Sequence, residues 1–219
     1  MKLQVKVCGM RDPDNIQAIS RMPIDLMGFI FYPPSPRYAG ELLELSALPE
    51  NIERVGVFVD AGQEEILQAV ERFGLSWLQL HGHETPEQVD AIREASGLGI
   101  LKAFRIDENF DFNQLEYYEG TCDYFLFDTK GKQMGGTGHV FDWNLLKQYN
   151  GKTSYFLSGG IGPGMAKQIL EIQDTRLAGV DLNSRFETAP GLKDIQQLAA
   201  FIQELTALEI PKKDLRCQT

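Results

Sequence analysis

The chain has 219 residues, and its 21 basic against 31 acidic residues give a formal charge of −10, which excludes the basic surface that nucleic-acid binding requires. Hydrophobic residues make up 43% and charged residues 24%, as is typical of a soluble globular enzyme. No run reaches the ~18 apolar residues of a membrane span, and the N-terminus carries no secretory signal pattern, so a cytoplasmic protein without membrane partners is expected. The cysteines Cys8, Cys122 and Cys217 have neither disulfide nor metal spacing.

Eight short apolar runs alternate with amphipathic segments along the chain. Such runs are typical of strands buried on both faces, and the amphipathic segments supply crossover helices. This alternation predicts a single (β/α)8 barrel over residues 1–205, followed by a tail at 206–219, although the weak helical pattern at 106–123 makes the strand count less secure there. Strands are predicted at 3–8, 26–31, 54–59, 77–81, 99–104, 124–128, 154–158 and 178–182, and helices at 64–73, 85–95, 163–172 and 192–205.

Two reactive side chains end predicted strands. Cys8 ends the first strand, where a thiolate can act as base or nucleophile, although cysteine is also a common small core residue. Asp128 ends the sixth strand, where a carboxylate can transfer a proton or simply cap a turn. Working residues of such barrels lie at the C-terminal ends of strands, so these two side chains are predicted to flank a ligand across the mouth.

Glycine-rich segments follow the last two predicted strands. The run 158–165 leads into a predicted helix with Pro163 near its first turn, so Gly159 and Gly160 can bring bare N–H groups to a phosphate. Tight turns give the same glycine pattern. A second segment follows strand eight.

That second segment, 181–187, places Ser184 and Arg185 where barrel phosphate sites are commonly completed. The glycine run at 135–138 is a candidate lid over the same region. Two adjacent runs after strands seven and eight favour a phosphate site over isolated turns.

Three further polar residues have two interpretations each. Arg37 lies in a proline-rich loop after strand two. Its guanidinium either clamps a carboxylate or is an exposed cation. His81 is expected to line or underlie the mouth, and His83 to belong to the start of the next helix. No third ligand is spaced near the two histidines, so no metal site is predicted.

These segments, in this order, resemble the phosphoribosylanthranilate isomerase family over nearly the whole chain to about residue 205. The resemblance implies a (β/α)8 barrel that converts N-(5'-phosphoribosyl)anthranilate, the expected small-molecule partner, into the 1-deoxyribulose 5-phosphate ketone in tryptophan biosynthesis. It implies an Amadori rearrangement without a cofactor, in a monomer or homodimer. The matching segments are VKVCG, GFIFYPPSPRY, VGVFVD, LQLHGHE, FDTKGKQMGGTGHVFDW, LSGGIGPGM and GVDLNSRFETAPGLKD.

The resemblance also assigns roles to single residues. It implies Cys8 as general base, Asp128 as general acid and Arg37 as the contact of the anthranilate carboxylate. It further implies that Asp181 helps to position the substrate. The phosphate contacts that it implies are Gly136, Gly159, Gly160, Ser184 and Arg185.

Two rival functions stay open. One is another phosphate-binding barrel isomerase or epimerase, for which paired aspartates or a metal are expected instead of Cys8. The other is a barrel that binds a phosphorylated metabolite without catalysis, which only a turnover assay separates from an enzyme.

Overall fold

The computed structural model describes residues 2–40, 45, 48–129 and 143–208. Eight parallel strands close into a barrel in sequence order, with β1 pairing to both β2 and β8. The predicted barrel and all eight predicted strands are therefore confirmed. The strands are β1 Gln4–Cys8, β2 Leu26–Ile30, β3 Glu53–Phe58, β4 Trp77–Leu80, β5 Gly99–Ile106, β6 Tyr124–Thr129, β7 Ser154–Ser158 and β8 Leu177–Leu182.

Helices connect the strands on the outside of the barrel. Thr85 begins α3 with a capping box, in which its side chain accepts from the Gln88 amide while the Gln88 side chain accepts from the Thr85 amide. Left-handed glycines end α2 and α3, at Gly74 and Gly97. The α-helices are α1 Pro13–Ile19, α2 Gln63–Phe73, α3 Pro86–Ser96, α4 Ala166–Leu170 and α5 Ile195–Leu208.

Two connections depart from regular helix. The segment after β5, whose helical pattern is weak, forms the 3-10 helix Phe112–Tyr118, and another 3-10 helix, Trp143–Gln148, precedes β7. The predicted helix at 163–172 is shorter than expected, because its turn begins only at Ala166 and ends at Leu170. Gly162, Pro163 and Gly164 all precede that turn, in irregular backbone.

The core has two layers. A large cluster packs the helices against the outer faces of the strands, and a smaller cluster fills the barrel interior beneath the mouth. Within the described part of the chain, no helix has the length and apolar character needed to cross a bilayer. The interior cluster consists of Leu26, Val55, Leu101, Ala103, Leu126 and Phe156, with Trp77, Tyr124 and Ala178 partly buried against it.

A two-stranded antiparallel hairpin follows β8 and precedes α5. Its strands are β9 Glu187–Ala189 and β10 Leu192–Lys193. Asn15 of α1 holds this hairpin from below, because its side chain donates to the Lys193 carbonyl at 3.0 Å and accepts from the Lys193 amide at 2.9 Å. The hairpin is thereby fixed beside the end of β1.

Candidate active site

A cavity of about 220 Å³ opens at the C-terminal ends of the strands. Cys8 and Asp128 both line it, at the ends of β1 and β6. Alternation along each strand places their side chains on the inner face, above the apolar interior cluster. The structure thus brings together the two residues that the sequence predicted to face each other across the mouth.

The Cys8 thiol lies in a strongly charged but buried setting. Cys8 is only 3% exposed, and burial raises the pKa of its thiol. The ammonium groups of Lys6 and Lys193 act against this rise, whereas the nearby Asp181 carboxylate adds to it. Cys8 is therefore a protonated thiol near neutral pH in the open cavity, and its neighbours decide how readily it ionises.

Asp128 lies on a more open wall. Its side chain is 26% exposed, and the nearby imidazole of His81 has its Nε2 3.3 Å from Asp128 Oδ2. The Gln79 amide nitrogen is 3.4 Å from His81 Nδ1, which favours the tautomer that carries its proton on Nε2. His81 Nε2 nevertheless makes no well-aligned hydrogen bond in the part of the chain that the structure describes. A small adjustment of Asp128 would align the pair.

The two histidines separate, but His83 lies in the loop before α3 rather than at the predicted helix start. His81 lines the cavity, whereas the ring of His83 is 94% exposed and 3.1 Å from Asp60. Gln79 is a site residue that the sequence analysis missed. Its signal was available, because Gln79 is two residues before His81 on β4 and therefore shares its face.

The loop after β7 presents two left-handed glycines to the cavity. Gly159 has φ 85° and Gly160 has φ 69°, a region that L-residues with side chains adopt at a cost. A Cβ built on Gly160 meets no atom within 4 Å, so the space above it is open. The expectation that Pro163 lies in a helical first turn was wrong, because α4 begins three residues later. The glycine turn itself, rather than a helix end, presents the N–H groups.

The segment after β8 divides its two predicted site residues. Ser184 begins a single 3-10 turn, Ser184–Phe186, and lines the cavity. Arg185 is exposed and does not line it, because its side chain runs against Gly162 on the adjacent loop. The remaining predicted phosphate contact, Gly136, and the whole glycine run 135–138 lie outside the described residues.

Arg37 lines the cavity, but one edge of its guanidinium is already occupied. Arg37 Nε donates to Glu187 Oε1 at 2.9 Å and Nη2 donates to Oε2 at 2.6 Å, a two-point ion pair. Glu187 is 4% exposed and also accepts from Lys193 Nζ at 2.6 Å and from the Gly191 amide at 3.1 Å. The hairpin therefore fixes the direction of the guanidinium, which no local pattern in the chain predicts.

Asp181 is buried at the base of the cavity between two donors. Lys6 Nζ donates to its Oδ1 at 2.8 Å, and Ser158 Oγ donates to its Oδ2 at 3.2 Å. Lys6 itself is 0% exposed. Sequence analysis singled out Asp181 but not Lys6, although Lys6 lies two residues before Cys8 on the same strand face.

No three His, Cys, Asp or Glu side chains among the described residues are grouped closely enough to hold a metal ion. The polar groups of the cavity are instead a thiol, two carboxylates, an imidazole, a guanidinium, side-chain hydroxyls and amides, and the bare backbone amides of the glycine turn. This set is suited to proton transfer on an anionic small molecule.

The family model described as N-(5'-phosphoribosyl)anthranilate isomerase matches residues 5–204. A protein of that name from Phocaeicola vulgatus is 49% identical over 201 residues, covering 92% of this chain and 97% of the relative. Another, from Parabacteroides distasonis, is 43% identical, covering 92% of each.

Solved structures give the same result. The phosphoribosylanthranilate isomerase of Thermotoga maritima is 31% identical, with a TM-score of 0.79, over 94% of this chain and 99% of that chain. A phosphoribosylanthranilate isomerase in complex with reduced 1-(o-carboxyphenylamino)-1-deoxyribulose 5-phosphate is 29% identical, with a TM-score of 0.78 and the same coverage. The chain belongs to the phosphoribosylanthranilate isomerase family.

Proposed function

We propose that this chain isomerises N-(5'-phosphoribosyl)anthranilate to 1-(2-carboxyphenylamino)-1-deoxyribulose 5-phosphate, with Cys8 as general base and Asp128 as general acid. The observation that carries the proposal is the shared cavity of Cys8, Asp128 and the glycine turn at Gly159 and Gly160. It lies within a chain that matches an isomerase family over residues 5–204.

The reaction begins with opening of the furanose ring. Protonated Asp128 donates its proton to the ring oxygen as the C1′–O bond breaks and its electrons pass to that oxygen. The lone pair of the anthranilate nitrogen forms the C1′=N bond, which gives a protonated Schiff base. Asp128 is left as a carboxylate beside the N–H of His81, whose Nε2 is 3.3 Å from Asp128 Oδ2. That N–H is placed to stabilise the negative charge that develops on Asp128.

The second step removes a proton from C2′. The Cys8 thiolate takes this proton, and the electrons of the broken C–H bond flow into the Schiff base to give an enolamine. Tautomerisation of the enolamine gives the ketone, with the proton returned to C1′. Acid and base work on different atoms of the substrate, so their positions on separate walls of the cavity suit this order of events.

Binding groups are proposed at two ends of the cavity. The backbone amides of Gly159 and Gly160, with Ser184, suit the phosphate, because bare backbone N–H groups bind anions without a positively charged side chain. Arg37 suits the anthranilate carboxylate through Nη1, since Glu187 occupies the Nε and Nη2 edge. Asp181 is proposed to act at the base of the cavity through Lys6 rather than by reaching the substrate.

Two predicted phosphate contacts, Arg185 and Gly136, are not part of the cavity lining that the structure describes. Arg185 would have to leave its position against Gly162 to reach the cavity, and Gly136 lies outside the described residues. Both stay predictions. They would complete an anion site in a chain whose formal charge of −10 otherwise disfavours an anionic substrate.

The form of the assembly is proposed as monomer or homodimer. Among solved relatives, the Thermotoga maritima enzyme is described as dimeric, and monomers have been generated from it. Sedimentation equilibrium of the purified chain separates the two states.

Turnover is the direct test of the activity. Purified protein is mixed with freshly generated N-(5'-phosphoribosyl)anthranilate, and the loss of substrate fluorescence is followed against a buffer control. The proposal predicts enzyme-dependent loss that continues over many turnovers and is unchanged by EDTA. Binding of substrate without any turnover would instead support the non-catalytic barrel, and loss of activity on chelation would support a metal-dependent epimerase.

A further inference from the structure

Strand β1 places Lys6 and Cys8 on the same inward face, one layer apart. Residues two apart on a strand project to the same side, so the ammonium lies directly beneath the thiol. Both side chains are buried, at 0% and 3% exposure. A lysine in this layer replaces the apolar side chain that would normally fill a barrel interior.

Gly28 on the neighbouring strand leaves room for this pair. It is the register partner of Cys8, and a Cβ built on it would lie 2.8 Å from Cys8 Sγ and 3.2 Å from Lys6 Nζ. Sulfur and ammonium therefore border the same small space, which any side chain at position 28 would invade. The ammonium interacts with the Cys8 sulfur as well as with Asp181.

Asp181 fixes the ammonium in this place. The Lys6–Asp181 ion pair is 2.8 Å long and Asp181 is 5% exposed, so the lysine cannot turn toward water. Burial lowers the pKa of Lys6, but Asp181 and Cys8 together raise it above its usual value, and Lys6 stays charged. A buried charge held at this cost is expected to have a function besides stability.

We infer that Lys6 is the positioning residue of the catalytic base, holding a buried positive charge against Cys8 Sγ so that the thiolate can form when substrate fills the cavity. This inference rests on the proposed role of Cys8. Lys6 does not line the cavity, so it acts through the sulfur alone.

Other charged groups around Cys8 are less well placed for this role. Lys193 of β10 favours the thiolate too, but less strongly than Lys6, and its ammonium is bound to Glu187 at 2.6 Å and Asn183 at 2.7 Å. Arg37, from the loop after β2, is likewise paired with Glu187. Asp181 of β8 opposes the thiolate. Among the charged groups, Lys6 lowers the pKa of Cys8 the most.

The test measures ionisation of Cys8 itself. Wild-type protein and Lys6→Met are treated with iodoacetamide across a range of pH, and labelling of the Cys8 peptide is quantified by mass spectrometry. Loss of the ammonium should raise the apparent pKa of Cys8 by at least about one unit, which slows labelling near neutral pH about tenfold. An unchanged or lower apparent pKa would overturn the inference.

A second buried ion pair supplies the matched control. Lys102 and Glu84 are also 2.8 Å apart, with side chains 2% and 4% exposed, but they lie away from Cys8 beside β4 and β5. Lys102→Met should lower stability as Lys6→Met does, since each leaves a buried carboxylate unpaired. It should leave the apparent pKa of Cys8 unchanged. An equal shift in both variants would mean that the change reports loosened structure, which also overturns the inference.

Two further measurements keep the result decisive. If Lys6→Met does not fold, Lys6→Gln gives the same test, because its amide can still donate to Asp181 but carries no charge. The acid limb of the kcat–pH profile should move with the labelling curve. If the labelling curve shifts but the kcat–pH profile does not, Lys6 affects Cys8 as inferred but Cys8 is not the base. If the labelling curve does not shift, only the role of Lys6 is contradicted.

Discussion

The two walls of the cavity prepare their proton-transfer groups by different means. Cys8 is 3% exposed and lies among buried charges from β1, β8 and the hairpin. Asp128 is 26% exposed and has the imidazole of His81 beside it, 3.3 Å away. The base is thus placed in a fixed electrostatic field, and the acid in a setting that water and substrate can change.

This difference follows from what each group must do. A thiol is uncharged at rest and must become an anion, so fixed positive charge beside it is useful. The acid must instead give its proton to the substrate, so its carboxyl has to face the space that the substrate fills. The cavity therefore fixes the charges around Cys8 in advance and leaves the surroundings of Asp128 to be completed by the substrate.

The largest effects are expected from removing either proton-transfer group. Cys8→Ala and Asp128→Asn should each lower kcat by ~100- to 10,000-fold, with KM changed little, because each removes one proton transfer and no binding contact. Steady-state kinetics measures both. Cys122→Ala is the control: this thiol is buried away from the cavity, and its pKa is raised to about 12 by burial. A Cys8→Ala enzyme with near-normal kcat would contradict the assignment of the base.

Arg37→Ala should raise KM for the anthranilate substrate by about 10- to 100-fold, the value of a hydrogen bond between charged groups. Inorganic phosphate, measured as a competitive inhibitor, should bind nearly as well as before. Arg185→Ala serves for comparison, since Arg185 is predicted at the phosphate end. Equal losses for substrate and phosphate in Arg37→Ala would move Arg37 to the phosphate site.

Gly160→Leu should weaken binding of a phosphorylated product analogue about tenfold, because a side chain above the turn keeps the backbone amides from the phosphate. Isothermal titration calorimetry measures this affinity. Gly164→Leu is the matched control: Gly164 also has positive φ and open space, but does not line the cavity. Equal affinities in the two variants would contradict the assignment of the phosphate site to this turn.

The smallest effect on kcat is expected from His81, the histidine beside Asp128. His81→Asn should lower kcat about two- to tenfold, because the charge left on Asp128 loses one hydrogen-bond donor. The loss should be greatest where Asp128 transfers its proton, so the kcat–pH profile should change shape as well as height. The control is His83→Asn, which should leave kcat unchanged because the His83 side chain is 94% exposed. Identical profiles for the two variants would leave His81 without a role.

Much of this architecture could be predicted from the chain itself. Apolar runs of strand length recur eight times, and the ends of those runs carry Cys8 and Asp128, so the barrel and its mouth follow from period and position. The late start of the helix after β7 was missed because Pro163 is common in a first helical turn, whereas Gly162 and Gly164 on either side of it disfavour helix.

Contacts between distant segments were the part that sequence could not supply. Arg37 and Glu187 are 150 positions apart, and Lys6 and Asp181 are 175 apart, so nothing local indicates either pair. Arg37 was predicted as a carboxylate clamp or an exposed cation, and the structure pairs its Nε and Nη2 with Glu187. Lys6 was detectable in principle, because a lysine two residues before Cys8 must lie on the same inner face.

The primary deuterium isotope effect at C2′ tests most directly the claim that base and acid act in separate steps. It is measured on kcat with C2′-deuterated substrate in wild type, Cys8→Ser and Asp128→Asn. Weakening the base makes proton removal rate-limiting, so Cys8→Ser should show a larger isotope effect than wild type. Weakening the acid makes ring opening rate-limiting, so in Asp128→Asn the effect should fall toward unity. A large isotope effect in Asp128→Asn together with none in Cys8→Ser would contradict the assignment of the two roles.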